Sequence, residues 1–316
     1  MRKASAPFIH TQKNTPYIQL ILDIALLPCC VSAVFNYGLK AAVNIVVAVF
    51  LSFVIDIFYV QKIHKSNNYY DLSSAFYGMC FALMLPPDTC VIVTVAGILL
   101  GKIIAKGIPG GVGNLFINPA VTGRVMVELL FPGALRGFVL PGEDWLSLKG
   151  LLVWDKVSSA SEVDLSGYYF LEIFAGRYPT FIGTGCIIFI ILGFIYLAAR
   201  KGARFYAAAG YAAVIVTGMM IMYFPMGLRY SLIRLIASGI PFAATFLMTD
   251  PTTIPSNSRG GVCTGVTAGI TALLLLPFNN TLALICVPVL VSNFTTVTFE
   301  YFTLLRRNKE SREAAL

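Results

Sequence analysis

The chain has 316 residues, of which 57% are hydrophobic and only 12% charged, whereas an ordinary soluble domain carries roughly 25% charged residues. That balance excludes a soluble globular protein: the apolar runs are too many for one buried core, and each is near the ~20 residues that cross ~30 Å of hydrocarbon as a helix. The net charge of +8 does not indicate nucleic acid either, because Lys and Arg are dispersed among short connections, the pattern of topology signals.

Residues 1–17 form a basic arm followed by a long apolar stretch without a small-residue cleavage site, which predicts a retained cytoplasmic arm. The first apolar segment runs over Ile18–Phe35 and the second over Ala41–Val60, joined by a short turn at Asn36–Lys40. Asp23 and Asp56 lie inside these spans. An intramembrane carboxylate costs on the order of 3 kcal/mol at the bilayer centre, so each is expected to face the protein interior or a wet cavity. The third segment, Ser73–Leu85, is too short to span as a straight helix and is closed by Pro86-Pro87. The fourth, Cys90–Ile104, leads into a Gly-rich connection at Gly107–Gly113. Asn118-Pro119 then opens a fifth segment ending near Phe131, with proline at a first-turn position where its missing N–H does no harm.

Residues 132–180 form a polar midpiece that does not suit hydrocarbon. Inside it, Asp155-Lys156-Val157-Ser158-Ser159-Ala160-Ser161 is a run of small hydroxylated residues opened by an acid, presenting a serine to water; by itself it also reads as a solvated Ser/Ala turn. Beyond it come Phe181–Ala199, Tyr206–Tyr223, Leu232–Met248, Gly261–Leu276 and Thr281–Phe299, with a charged tail over residues 300–316.

Five segments precede the midpiece and five follow it. In each half the third is broken at a proline, Met84-Leu85-Pro86-Pro87-Asp88-Thr89 against Met248-Thr249-Asp250-Pro251-Thr252-Thr253. This predicts an all-α polytopic membrane protein of ten transmembrane helices in two repeats, residues 18–131 and 181–299. Because five is odd, the second repeat enters the bilayer inverted. With both termini cytoplasmic, Lys and Arg are more numerous in the inner connections, where Lys102 and Lys106 fall, than in the outer ones, where Lys40 falls. The midpiece is then extracytoplasmic.

At the helix breaks, Asn118, Pro119 and Thr122, with Asp250, Thr252 and Thr253, offer oxygens suited to a dehydrated Na+ or to a cofactor's phosphate or ring edge. Arg124 and Glu128 stand four residues apart on one helical face and are expected to pair. Asp23, Asp56 and Glu128 are the ion-pathway candidates. The seven cysteines, Cys29, Cys30, Cys80, Cys90, Cys186, Cys263 and Cys286, form no C-x-x-C pair and read as small packing residues. There is no phosphate-binding G-x-x-x-x-G-K-[ST] run, no iron–sulfur or haem motif, and neither His10 nor His64 lies within a span; if the chain moves electrons, a flavin is the remaining candidate.

Taken together, the Leu85-Pro86-Pro87 end, the Asn114–Gly123 run with Asn118-Pro119-Ala120, and the Met248-Thr249-Asp250-Pro251 break resemble the RnfD/NqrB family. Its members are a membrane subunit of the Rnf complex and the homologue in the Na+-translocating NADH:quinone oxidoreductase. The resemblance implies ten helices in two inverted repeats, a fold similar to urea transporters, in the cell (inner) membrane. It implies a complex that couples electron flow between ferredoxin and NAD+ to Na+ or H+ movement. The partners would be the other Rnf subunits, including a second flavin-bearing subunit and small membrane subunits, and this chain would not be catalytic alone. It also implies FMN joined through a phosphoester to a Thr in an Asp-x-x-Ser-Gly-Ala-Thr type of motif. The matching residues here are Asp155, Ser158, Ser159, Ala160 and Ser161, with Ser159 in place of Gly and Ser161 in place of Thr. A serine hydroxyl is the same nucleophile, so the ester remains available. Related subunits hold a second, non-covalent flavin (riboflavin or FMN), expected here around Asn118, Thr122, Arg124 and Asp250. The competing class of function is a flavin-free solute channel or transporter of the same inverted fold.

Overall fold

In the computed structural model, residues 15–62, 72–110, 115–135, 141–142, 146, 169–200, 204–223, 225, 227–255, 257–278 and 281–313 are described. Helix α1 covers Thr15–Lys62, 48 residues, which at ~1.5 Å per residue would measure about 72 Å, more than twice the ~30 Å of a bilayer core. Gly38 divides it. With φ 67 and ψ −152, this residue occupies backbone space that side-chain-bearing residues rarely enter, and it falls in the predicted turn between the first two segments. The halves, and not the whole, match the hydrocarbon thickness.

Helix α2, Ser73–Leu83, is too short to cross and is buried along nearly its whole length. It lies against the second half of α1. A Cβ on Gly78 would come within 2.8 Å of Val49 Cα, and Ser52 Oγ donates to Ser74 O at 2.6 Å. Helix α3, Val91–Lys102, continues as a π turn over Ile103–Gly107. Helix α4, Pro119–Leu130, crosses α3 with the two backbones almost touching: a Cβ on Gly101 would lie 2.3 Å from Pro119 O, and one on Gly123 would lie 2.4 Å from Gly97 O. Small residues drive such crossings in lipid, where tight backbone packing replaces the hydrophobic effect between helices.

The polar midpiece holds a short helix, α5, Phe170–Phe174, whose first backbone N–H at Tyr169 is capped by Glu172 Oε2 at 2.9 Å. Helix α6 spans Ile187–Arg200 and so starts later than the predicted Phe181. The residues before it have another duty. Ile182 N donates to Leu85 O at 2.9 Å and Gly183 N to Leu83 O at 2.9 Å, so they satisfy carbonyls that the end of α2 leaves open inside the protein.

Helices α7, Phe205–Tyr223, and α10, Ser258–Leu275, form the second close pair, where a Cβ on Gly265 would lie 2.1 Å from Ala207 O. Between them, α8 (Leu228–Ala237) and α9 (Ile240–Phe242), which runs on as a π turn over Ala243–Leu247, meet at a bend of 61°. The predicted single segment Leu232–Met248 is therefore two pieces, and Gly239, at φ 71, makes the corner. Helix α11 runs over Thr281–Glu313, past the predicted end at Phe299, because no Gly or Pro follows Pro288 to stop it.

All described elements are helical. By length and composition, Pro16–Tyr59, Phe205–Tyr223, Ser258–Phe278 and Leu282–Arg306 can cross a membrane, and the bent pair Leu228–Ala237 with Ile240–Leu247 passes the same test as one broken span. Their outward faces carry large apolar side chains such as Phe35, Phe50, Ile221 and Leu274, which suits lipid contact. All seven cysteines are free. Cys263 is exposed, contrary to its predicted packing role.

The α3–α4 crossing leads to a test. Gly123→Leu should lower the thermal stability of the detergent-solubilised protein by several degrees and reduce its monodisperse yield, read by fluorescence-detected size exclusion. Gly107→Ala, whose nearest neighbour would be 3.6 Å away, should leave both unchanged.

Candidate functional site

A chain of buried polar groups runs through the helices. It begins at Asp56 in the second half of α1, whose Oδ2 accepts from Lys102 Nζ at 2.6 Å, from Lys106 Nζ at 2.7 Å and from the Ser74 hydroxyl. Lys106 Nζ also reaches Ser73 Oγ at 3.4 Å. The two lysines are 2% and 5% exposed. Both come from the end of α3, four residues apart and therefore on one helical side, where the π turn re-aims the second of them. Charge counting places these lysines in connections as topology signals. The structure corrects that for Lys102 and Lys106, and also for Lys40, which is buried and pairs with Asp88. A carboxylate inside the bundle needs a cation beside it, and that need overrides the usual exposure of lysine.

Lys102 Nζ also lies 5.4 Å from the centroid of the Tyr77 ring, within range of a cation–π contact. The Tyr77 hydroxyl carries the chain onward. It stands 3.2 Å from Asp250 Oδ2 and 2.6 Å from Thr252 Oγ1. Asp250, at the break after the second π turn, accepts on Oδ1 from Thr252 N at 3.1 Å and Thr252 Oγ1 at 2.7 Å. On Oδ2 it accepts from Thr253 Oγ1 at 3.3 Å and Asn118 Nδ2 at 3.3 Å. Among the described residues the donors that meet Asp250 are neutral hydroxyl and amide groups.

Asn118 is the N-cap of α4, as the Asn-Pro step predicts. Its Oδ1 accepts from Ala120 N at 3.0 Å and Val121 N at 3.3 Å, with Pro119 in the first turn, where no N–H is missed. Thr122 Oγ1 donates back to Asn118 O at 2.9 Å. With its amide oriented to satisfy both neighbours, Asn293 of α11 accepts from Asn118 N at 2.9 Å. Both halves of the chain thus meet at this residue.

One turn further along α4, Arg124 is 1% exposed. Its Nε donates to Met84 O at 3.0 Å, its terminal nitrogen pairs with Glu128 Oε2 at 3.0 Å, and its guanidinium lies 5.5 Å from the Phe181 ring. The predicted spacing pair is present, yet its larger task is local. Leu83 O, Met84 O and Leu85 O are met in turn by Gly183 N, Arg124 Nε and Ile182 N, so the buried end of α2 is sealed by three donors from two distant stretches.

Of the residues expected from sequence, Asn118, Thr122, Arg124, Glu128 and Asp250 lie together around the ends of α2 and α4. Asp56 joins them through Lys102 and Tyr77. Asp23 stands apart, its Oδ1 buried without a hydrogen-bond partner among the described residues. Asp155, Ser158, Ser159, Ala160 and Ser161 lie outside the described residues. Tyr77, Lys102, Lys106 and Asn293 are site residues that sequence patterns did not single out. The signal for the lysines was present, a pair four apart closing an apolar helix; for Asn293 it was a lone amide inside an apolar run. Among the described residues no three His, Cys, Asp or Glu side chains converge as a metal site.

The class so defined is an α-helical membrane protein with charge and amide groups chained through its interior. The chain belongs to the NQR2, RnfD, RnfE family, whose model matches residues 2–309. It is similar to the D subunit of the ion-translocating oxidoreductase complex of Alcanivorax borkumensis, at 23% identity over 325 residues covering 95% of this chain and 94% of the relative. Proteins of the same description from Salmonella dublin and Escherichia coli K12 are 24% identical over 341 and 342 residues, each covering 96% of both chains.

The ion cluster generates a prediction. Asp56→Asn leaves two buried ammonium groups without that carboxylate and should cost about 3 kcal/mol of stability. Adding Lys102→Met removes one of them and should recover part of the loss, so the two effects are non-additive. Thermal denaturation in one detergent, wild type against the single and double variants, reads this; strict additivity would refute the shared cluster.

Proposed function

We propose that the chain is the RnfD-type membrane subunit of a ferredoxin:NAD+ oxidoreductase complex, carrying electrons through FMN esterified to Ser161 and coupling them to Na+ or H+ translocation. The observation that carries the reading is the family match over residues 2–309, which leaves almost no part of the chain to serve another role. The buried polar chain from Asp56 through Lys102, Tyr77, Asp250 and Asn118 to Asn293 supports it, since intramembrane ionisable groups mark ion and proton routes.

The architecture that goes with this reading is ten spans in two inverted repeats, with both termini cytoplasmic, in the cell (inner) membrane. Five helical segments stand on each side of the midpiece: the two halves of α1, α2, α3 and α4, and then α6, α7, the bent α8–α9 pair, α10 and α11. In each half the third ends in a buried methionine followed by an acid, Met84 with Asp88 and Met248 with Asp250.

Bound FMN supplies one- and two-electron transfer on the outer face. The donor set suits it: Ser161 has the hydroxyl that forms a phosphoester, and Asp155, Ser158, Ser159 and Ala160 complete a small, polar run around it. The second, non-covalent flavin of the resemblance would draw on Asn118, Thr122, Arg124 and Asp250. These groups already bond to one another and to the end of α2, so they would hold a flavin only by giving up some of those bonds.

The experiment is direct. Protein expressed with the flavin-attaching enzyme and run on a denaturing gel should give a band that fluoresces under ultraviolet light. Ser161→Ala should abolish the fluorescence while leaving the protein in the membrane, and intact mass should fall by one FMN phosphoester. A dark wild-type band under those conditions would instead support the flavin-free transporter.

A further inference from the structure

Arg124, enclosed by the helices, gives its N–H groups to Met84 O and Glu128 Oε2. Arg234 on α8 is placed differently. It is half-buried, its Nε is shut away from water without an acceptor among the described residues, and no carboxylate of those residues pairs with it. What its guanidinium meets is a ring: Cζ lies 5.7 Å from the centroid of Tyr223, and Tyr223 in turn lies 5.8 Å from Tyr230, centroid to centroid. A ring face attracts the charge but offers nothing to the N–H edges, which still call for an oxygen.

The place of this group along the helices indicates which oxygen. Helix α7 has 19 residues and ends at Tyr223, about 28 Å at ~1.5 Å each, so its end falls where the ~30 Å hydrocarbon layer gives way to headgroups. Arg234 stands two turns into α8, four residues after Tyr230 and on the same side. Side chains on a helix lean toward its N-terminus, and a long arginine reaches back to the polar boundary, here to Tyr223. Around it Ile221, Met222, Leu228 and Tyr230 are exposed, Ile221 at 75%, an apolar rim that suits acyl chains and that a water-soluble anion does not use. Helices α5, α7 and α9 pack on α8; the acid they carry, Glu172, caps Tyr169 N at 2.9 Å. Arg229, exposed in the first turn of α8, adds a second positive charge near that end.

We propose that Arg234, backed by Tyr223 and Tyr230, seats the phosphate of an anionic membrane phospholipid, whose oxygens accept from the guanidinium fork. Two arginines with no facing acid among the described residues favour a headgroup without an ammonium of its own. The inference needs only a membrane-spanning chain, so it stands or falls apart from the redox reading.

The test reads Arg234 itself. The full chain, produced without the flavin-attaching enzyme so that no flavin phosphate is present, is stripped of lipid in a nonionic detergent. It is then treated with phenylglyoxal, which modifies guanidinium groups, and the mass of the peptide containing Arg234 is measured. Dioleoyl phosphatidylglycerol added to the micelles should lower modification of Arg234 at least fivefold, and at a lower concentration than dioleoyl phosphatidylcholine does. Arg200, which ends α6 close to the start of α7, should change less than twofold. Inorganic phosphate at the same concentration should not protect. Arg229→Gln should narrow the difference between the two lipids. Arg234→Met should remove one tightly retained phosphatidylglycerol from the native mass spectrum while leaving elution on size exclusion unchanged. Equal protection by inorganic phosphate would overturn the lipid assignment, and so would the absence of protection by either lipid. An Arg234 that stays unmodified in the stripped protein would overturn it as well. Should that residue then become reactive on replacing Glu143, Asp144, Asp155, Glu162 and Asp164 by their amides, its partner is a carboxylate of the midpiece.

Discussion

A helix that stops inside a membrane protein leaves carbonyl oxygens that no water can reach, and most of this structure answers that one constraint. Helix α2 ends at Leu83, deep in the bundle. Its open oxygens are met by Arg124 from α4 and by the peptide groups of Ile182 and Gly183 just beyond the polar midpiece. An unsatisfied carbonyl in hydrocarbon costs several kcal/mol, so these contacts fix where α4 and the start of the second half must lie. Once Arg124 is committed there, Glu128 balances its charge, and the N-cap of α4 brings Asn118 to Asp250.

The same rule explains the unusual burial of lysine. In water Lys102 and Lys106 would lie along a helix surface; here the Asp56 carboxylate holds both out of solvent. A buried ion cluster of this kind adds little net stability, since desolvation offsets attraction, but removing one member is costly. The cluster therefore fixes the geometry of α1, α2 and α3 more than it strengthens the fold. Tyr77 extends the effect by placing its ring against one charge and its hydroxyl against another.

Much of this was legible in the amino-acid sequence, for physical reasons that can be named. Apolar run length marked the helices Pro16–Tyr59, Phe205–Tyr223, Ser258–Phe278 and Leu282–Arg306, which are long and apolar enough to cross a membrane, Asn118-Pro119 announced a helix start, and the four-residue spacing of Arg124 and Glu128 announced their pair. The corner at Gly239 was not legible, because a lone glycine in an apolar run is compatible with a straight helix and only packing decides. Nor was the burial of Lys102 and Lys106. Local charge counting reads a lysine at a helix end as a surface signal, and the acid that reclaims it lies 46 and 50 residues away. The start of α6 was hidden likewise, because the demand that draws Ile182 and Gly183 out of helix comes from the far end of α2.

The π turn over Ile103–Gly107 has a further meaning for how this chain tolerates change in length. One wide turn amounts to a residue inserted into an otherwise regular helix, and each residue in a regular helix advances the side-chain direction by about 100°. Deleting a single position there would tighten the coil and swing the Lys106 amine away from Asp56. Substitutions can accumulate along this stretch, but its residue count is set by the ammonium group that Asp56 holds.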